Sequence, residues 1–444
     1  MRERLAALGQ AMRVPDIRKR ILFLMAMFGV YVACAHVPLP GIDKSKLETL
    51  FRGVGGLGEL LDAFAGGALK RFSVLALGIM PYISASIILQ LLTMAIPALE
   101  ELQREGEYGR KKINAWTKYL TMGVAALQAA GMITYFRRGQ AFVGGPWLMM
   151  YVILMMVSGT AFLMWLSDLM TERGIGQGVS LIIFAGIITR LPQDLAQTII
   201  MWRNGQIGVA NIAFLAAIMF GTIYGIVKVQ QAQRKIPVQY AKRVKGHRMY
   251  GGQSSYLPLR VNQAGVMPII FAISVALFPG QIAQFVNAPS TIAKIAGLLH
   301  VSEQAVSKAM FSLVQFTTPG QNHFASFLYF LLVIVFTYFY TAVTFNPEQI
   351  AENLQKNGGA IPGIRPGAST RDYLDRILYR ITLAGALFLG IVAVMQYYVG
   401  DITGVTTFTL VGGTSLLIVV GVALDTMQQI EAQLLMRHYK GFLA

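Results

Sequence analysis

Little in this chain is charged, almost none of it is cysteine, and acids are outnumbered. Asp, Glu, Lys and Arg make up 13% of the 444 residues, against 55% hydrophobic ones. That is too little charge to cover a soluble globule of this length. The single cysteine, Cys34, excludes an intrachain disulfide and a cysteine zinc site. The histidines (His36, His247, His300, His323, His438) are scattered without the spacing of metal ligands. No GxxxxGK[ST], HExxH or GxSxG string occurs, which leaves no nucleotide motor and none of the common hydrolase chemistries. The expectation is a non-enzyme without metal or cofactor, whose work is driven from outside.

What the chain has in abundance is apolar length. Mean hydropathy is +0.55, and runs near bilayer-crossing length recur from end to end. The short alternating segments of a β-barrel do not dominate. Ten spans are expected, near 21–37, 73–96, 115–136, 147–167, 179–200, 209–228, 264–283, 324–345, 380–398 and 407–427. The predicted fold class is an all-α polytopic membrane protein with ten transmembrane helices. The basic N-terminal segment precedes a retained first helix, because no clean small-residue cleavage site follows it.

The excess of 38 Lys and Arg over 21 acids gives a formal charge of +17, and its placement sets the orientation. Clusters at 104–112, 234–260 and 356–380 fall on the side of the N-terminus. The opposite side carries fewer basic residues, with Arg190 counted among them. Both termini are therefore expected in the cytoplasm. Five spans per half then make the halves, 1–205 and 206–444, inverted relative to each other.

Internal repetition supports that division. GIMPYI at 78–83 returns as GVMPII at 265–270, and GVSLII at 178–183 returns as GTSLLI at 413–418. The spans hold almost no charge; Asp168 and Asp425 lie near the cytoplasmic ends of the fourth and tenth. An ion-coupled carrier or an ion channel needs charged or strongly polar groups in the membrane. The repeats offer isoleucine instead: Ile83, Ile183, Ile270 and Ile418, with Ile87 and Ile187 one turn on. An apolar ring of this kind closes by dewetting and yields around many side chains. The alternative for these residues is helix packing.

Three connections are too patterned to be plain linkers. The loop near 229–263 has strand-like stretches at 236–241 and 256–261 around a basic tip. The loop near 346–379 begins with an Asn346-Pro347 helix start, ends that helix at Gly358-Gly359 and continues into Gly363–Gly367. Both read as docking surface for a large cytosolic partner; the alternative is basic charge that only sets the topology. Residues 53–67 are too short to cross. They carry a small apolar set, Leu57, Leu60, Leu61 and Phe64, between glycines fit to act as hinges. Pro81 and Pro268 stand at the starts of two symmetry-related helices and are expected to free a carbonyl and ease hinging there.

Several strings resemble the SecY family of protein-conducting channels. They are LGIMPYISASI at 77–87, TERGIGQGVS at 171–180, PLRVNQAGVMP at 258–268, NPE at 346–348, IPGIRPG at 361–367, GGTSLL at 412–417 and RHYKGF at 437–442. Gln177 stands where that family commonly has Asn, amide for amide. The resemblance covers nearly the whole chain and implies two five-helix halves closed like a clamshell around an hourglass pore. It implies a pore ring at Ile83, Ile87, Ile183, Ile187, Ile270 and Ile418, and a plug at 53–67. The lateral gate maps to the second and third spans facing the seventh and eighth. Docking positions for the SecA motor or the ribosome, including ribosomal RNA, map to Lys242, Arg243, Lys245, Arg248 and Arg365. SecE and SecG are the implied membrane partners. An unfolded polypeptide with a signal sequence is the implied substrate, and the bacterial plasma membrane the implied location. A secondary transporter and a membrane scaffold are the alternatives; the first lacks midplane charge and the second needs no central path.

Overall fold

The computed structural model describes residues 14–43, 45–47, 49–50, 62, 65–240, 243–245, 248–250, 254–286, 302–405 and 413–440. The first half holds α1 (Pro15–Ala35), α2 (Met80–Ala95), α3 (Pro97–Arg104), α4 (Glu107–Arg138), α5 (Pro146–Arg173) and α6 (Gly178–Arg203). The second opens with α7 (Val209–Gln231) and four strands: β1 (Gln233–Tyr240), β2 (Arg243–Lys245), β3 (Arg248–Tyr250) and β4 (Ser254–Arg260). There follow α8 (Met267–Val286), α9 (Glu303–Thr317), α10 (His323–Thr344), α11 (Pro347–Lys356), β5 (Gly359–Ala360), α12 (Ala368–Thr403) and α13 (Thr414–Lys440). Each of the ten expected spans falls on one of these helices. Among the described residues, seven helices are individually long and apolar enough to cross a bilayer. The rest are α1, with its charged first turn, the α2–α3 pair bent by 105°, and the short apolar stretch Met267–Gly280 of α8.

Packing joins the halves along two seams. On one, α8 packs on α2 and α4; on the other, α6 packs on α13. One contiguous apolar core runs through both halves. The most heavily packed helix pair is α10 with α12.

The two long loops are one body, which reading them singly did not anticipate. β1 pairs antiparallel with β4 from Gln233↔Arg260 to Gln239↔Ser254, and with β5 at Gln239↔Ala360 and Tyr240↔Gly359. Pro237, which has no N–H to give, lies beyond the reach of β5. Ile236, Leu259, Phe345, Ile361, Leu374, Ile377 and Leu378 form a separate apolar core under this sheet. Each such burial contributes about 1.5–3 kcal/mol relative to exposure. Asn346 caps α11 as expected, its Oδ1 accepting from Glu348 N at 3.0 Å and Gln349 N at 3.2 Å. Helix α12 begins 12 residues before the ninth span expected at 380, because its first turns belong to this platform. Its 36 residues reach about 54 Å at 1.5 Å per residue, enough to connect platform and membrane without a break.

Candidate functional site

The repeat is visible in backbone geometry. Gly78 and Gly265 both take left-handed conformations, φ +57° and +65°, and each precedes a helix opening on Met-Pro, α2 at Met80 and α8 at Met267. In both cases only glycine turns the chain this way at low cost. Pro81 and Pro268 lie in the first turns of these helices, where an N–H has no intrahelical acceptor. They start the helices without removing a bond from the helical ladder. The prolines that do interrupt helices are Pro192 in α6 and Pro279 in α8.

The six isoleucines come from four helices and both halves. Ile83 (4% exposed) and Ile87 (5%) lie on α2, Ile183 (1%) and Ile187 (7%) on α6, Ile270 (2%) on α8 and Ile418 (1%) on α13. All belong to the shared core, and their helices are the ones that meet at the two seams.

Above Ile187, α6 holds the described part of the 53–67 segment; Leu57, Leu60, Leu61 and Phe64 lie outside the described residues. Asp62 is 1% exposed and faces Arg190 of α6 at 3.5 Å, while Arg190 also meets Asp194 at 3.4 Å. The Asp62 carboxylate further accepts the Lys70 N–H at 2.8 Å. Burial pushes the Asp62 carboxyl above the ordinary carboxylate range, and the Arg190 guanidinium opposes that rise. Arg190 thus sits buried within α6, where the sequence reading had counted it among exposed outer charges. The physical reason is a partner 128 positions earlier in the chain. Beside this ion pair, Gly66 at φ +65° presses on α6. A Cβ there would lie 2.6 Å from Tyr31 Oη and 2.8 Å from the Gly186 Cα. Arg71 closes the outer rim by donating to His36 Nε2 at 2.8 Å. His36 Nδ1 donates to Val32 O at 2.8 Å, which fixes the tautomer.

At the seam of α2 with α8 and α10, a described hydrogen bond crosses to α2, and aromatic contacts tie α8 to α10 beside it. Tyr340 on α10 donates to Gln90 Oε1 on α2 at 2.9 Å. Phe271 of α8 packs edge-on against Tyr340 with centroids 4.8 Å apart. At the platform end, a cavity of about 380 Å³ opens between α6, β4 and α13, lined by Gln177, Ser180, Arg260, Asp425 and Gln428 among others. The expected docking residues belong to the two cytosolic-loop segments that build and extend the platform. Lys242 lies outside the described residues; Arg243, Lys245 and Arg248 lie on the paired strands β2 and β3, with Lys245 opposite Arg248. Arg365 is exposed between two left-handed glycines, Gly363 and Gly367.

Ten helices in two inverted halves, with a platform at one end and a docked segment at the other, define a polytopic membrane protein of the helical channel class. A chain solved as a protein conducting channel has the same fold, with a TM-score of 0.65 at 16% identity over 96% of each chain. So does Sec61 of a canine ribosome-channel complex, with a TM-score of 0.62 at 15% identity over 96% of each. The sequence profile of the SecY family matches residues 73–427. The protein translocase subunit SecY of Streptomyces galbus is 42% identical over 99% of this chain and 100% of its own length. The chain belongs to the SecY family.

Proposed function

We propose that this chain is the pore-forming subunit through which unfolded secretory polypeptides cross the bacterial plasma membrane. Membrane helices leave it sideways into lipid, and an external motor or the ribosome supplies the energy. The observation that carries the reading is the burial of six isoleucines from four helices of both halves beneath a docked segment. An apolar waist excludes water and ions at rest and deforms around any side chain. Ile83, Ile87, Ile183, Ile187, Ile270 and Ile418 are its ring, and residues 53–67, with Leu57, Leu60, Leu61 and Phe64, are its plug. Pro81 and Pro268 start the two gate helices.

The platform faces the cytoplasm, as do both termini, since the basic clusters lie at that end. Residues 1–205 and 206–444 are the two halves that part. A signal helix entering the α2–α8 seam opens the gate by binding the open state better than the closed one. Lys242, Arg243, Lys245, Arg248 and Arg365 dock the SecA motor or the ribosome, whose RNA the positive field attracts. SecE and SecG complete the membrane complex. The chain itself performs no catalysis. Photoreactive residues at Ile83, Ile183, Ile270 and Ile418 test this against a secretory chain stalled in transit. Capture at all four, with none at lipid-facing positions of the same helices, is expected. Capture at the lipid-facing positions alone would refute the central path.

A further inference from the structure

A second cavity of about 180 Å³ adjoins the one at the platform end; Arg260, Asp425 and Gln428 border both. Together they are lined by six amides: Gln177 before α6, Gln230 at the end of α7, Asn262 and Gln263 in the 261–266 link, and Gln428 and Gln429 on α13. Among the described lining residues the charges are one cation, Arg260, and one anion, Asp425. Asn262 is 5% exposed. Its Nδ2 donates to Gly265 O at 2.9 Å, while its Oδ1 has no partner among the described residues. A buried amide oxygen left unpaired costs about 1–3 kcal/mol unless something donates to it. The link itself lacks helix or strand, and irregular backbone beside a membrane helix is tolerated where it lines a wet cavity.

The geometry points to a site for the main chain of an extended polypeptide, read by amides about two turns from Ile183 on α6 and about three turns from Ile418 on α13. An amide offers a donor and an acceptor, as each peptide unit does, and carries no charge. Such a lining holds any sequence in register without preferring acidic or basic stretches. A lining of lysines or carboxylates would hold back passengers of opposite charge. The Arg260 guanidinium donates to Gln428 Oε1 at 2.9 Å, so the cation in the lining is engaged by an amide.

This inference rests on the pore reading, and its test separates the two. The full chain is used in membrane vesicles with its translocation partners, and a secretory polypeptide is stalled in transit. Photoreactive residues are placed at Gln429 and, separately, at Ile183. Transit is then timed for the exposed pair Gln177→Met with Gln429→Met, and for Gln177→Asn with Gln429→Asn. Capture from both positions is expected. The methionine pair should slow transit about threefold to tenfold, the effect of one or two lost net hydrogen bonds, equally for acidic and basic passengers. The asparagine pair should stay near the wild-type rate. Capture at Ile183 without capture at Gln429, or wild-type transit in the methionine pair, would overturn the amide site and leave the pore standing. Capture at neither would remove the pore reading and this inference with it.

Discussion

Helix α6 meets opposite surroundings at its start and at its middle. Where it begins, Gln177 and Ser180 line an open, neutral, polar cavity. Where it continues past Ile187, Arg190 and Asp194 are buried with Asp62 and a glycine-to-glycine backbone contact. Gln177 and Arg190 are separated by about 20 Å of helix. The two regions use polarity for different purposes. Uncharged amides suit a space that many sequences pass, because they hold without selecting. A buried ion pair suits a closed position, because its parts are costly to separate and it recognises one partner. On the proposed pore reading, one helix presents an entrance at its start and a fastening at its middle, with isoleucines between.

The strongest way to break this contrast is Arg190→Leu. It leaves Asp62 and Asp194 buried without their cation, and losing one partner of a buried pair costs about 3–5 kcal/mol. The expected outcome is ion leak through purified protein in liposomes, together with a lower melting temperature in detergent. Next is Gly66→Val, which meets Tyr31 and Gly186 and forces a branched residue into left-handed backbone, at about 1–2 kcal/mol for the conformation alone. It should also leak, and dye-release assays read it directly. If Ile183 belongs to the proposed apolar ring, Ile183→Asn breaks that ring while leaving the Asp62–Arg190 contact. It should leak less than Arg190→Leu, because the proposed plug keeps its anchor on α6. The smallest effect is expected from Tyr340→Phe, which leaves Gln90 without its bond across the seam. A loss of about 1 kcal/mol should let less hydrophobic signal sequences open the channel, measured as a shift in the hydrophobicity needed for half-maximal export.

The bundle was legible in the sequence because bilayer-length apolar runs and repeated GxMP and GxSL starts are local signals. Asn346 before Pro347 announced its capped helix for the same reason. What escaped depended on distance in sequence. Nothing near Arg190 indicates that Asp62 will bury it, so a charge inside a predicted span was taken for a loop charge. The platform was read as two loops because β1 and β5 pair across more than a hundred residues, and two residues make no visible strand. The start of α12 was placed late because the charges at Arg371, Arg376 and Arg380 masked Leu374, Ile377 and Leu378, whose burial is in the platform rather than in lipid. Apart from Gln177, noted as an amide at a family position, the amides were passed over because each alone is an ordinary polar residue; only the cavity groups them.

The most direct measurement is side-specific labelling along α6. With Cys34→Ser as background, single cysteines replace Gln177, Ser180, Ile183, Ile187 and Thr198, and membrane-impermeant thiol reagents are added to one face at a time. At rest, the reagent on the platform side should label positions 177 and 180 quickly, while positions 187 and 198 stay protected from both sides. Rapid labelling of 187 or 198 from the opposite face, with 177 and 180 protected, would contradict an entrance at the start of α6 and a fastening at its middle.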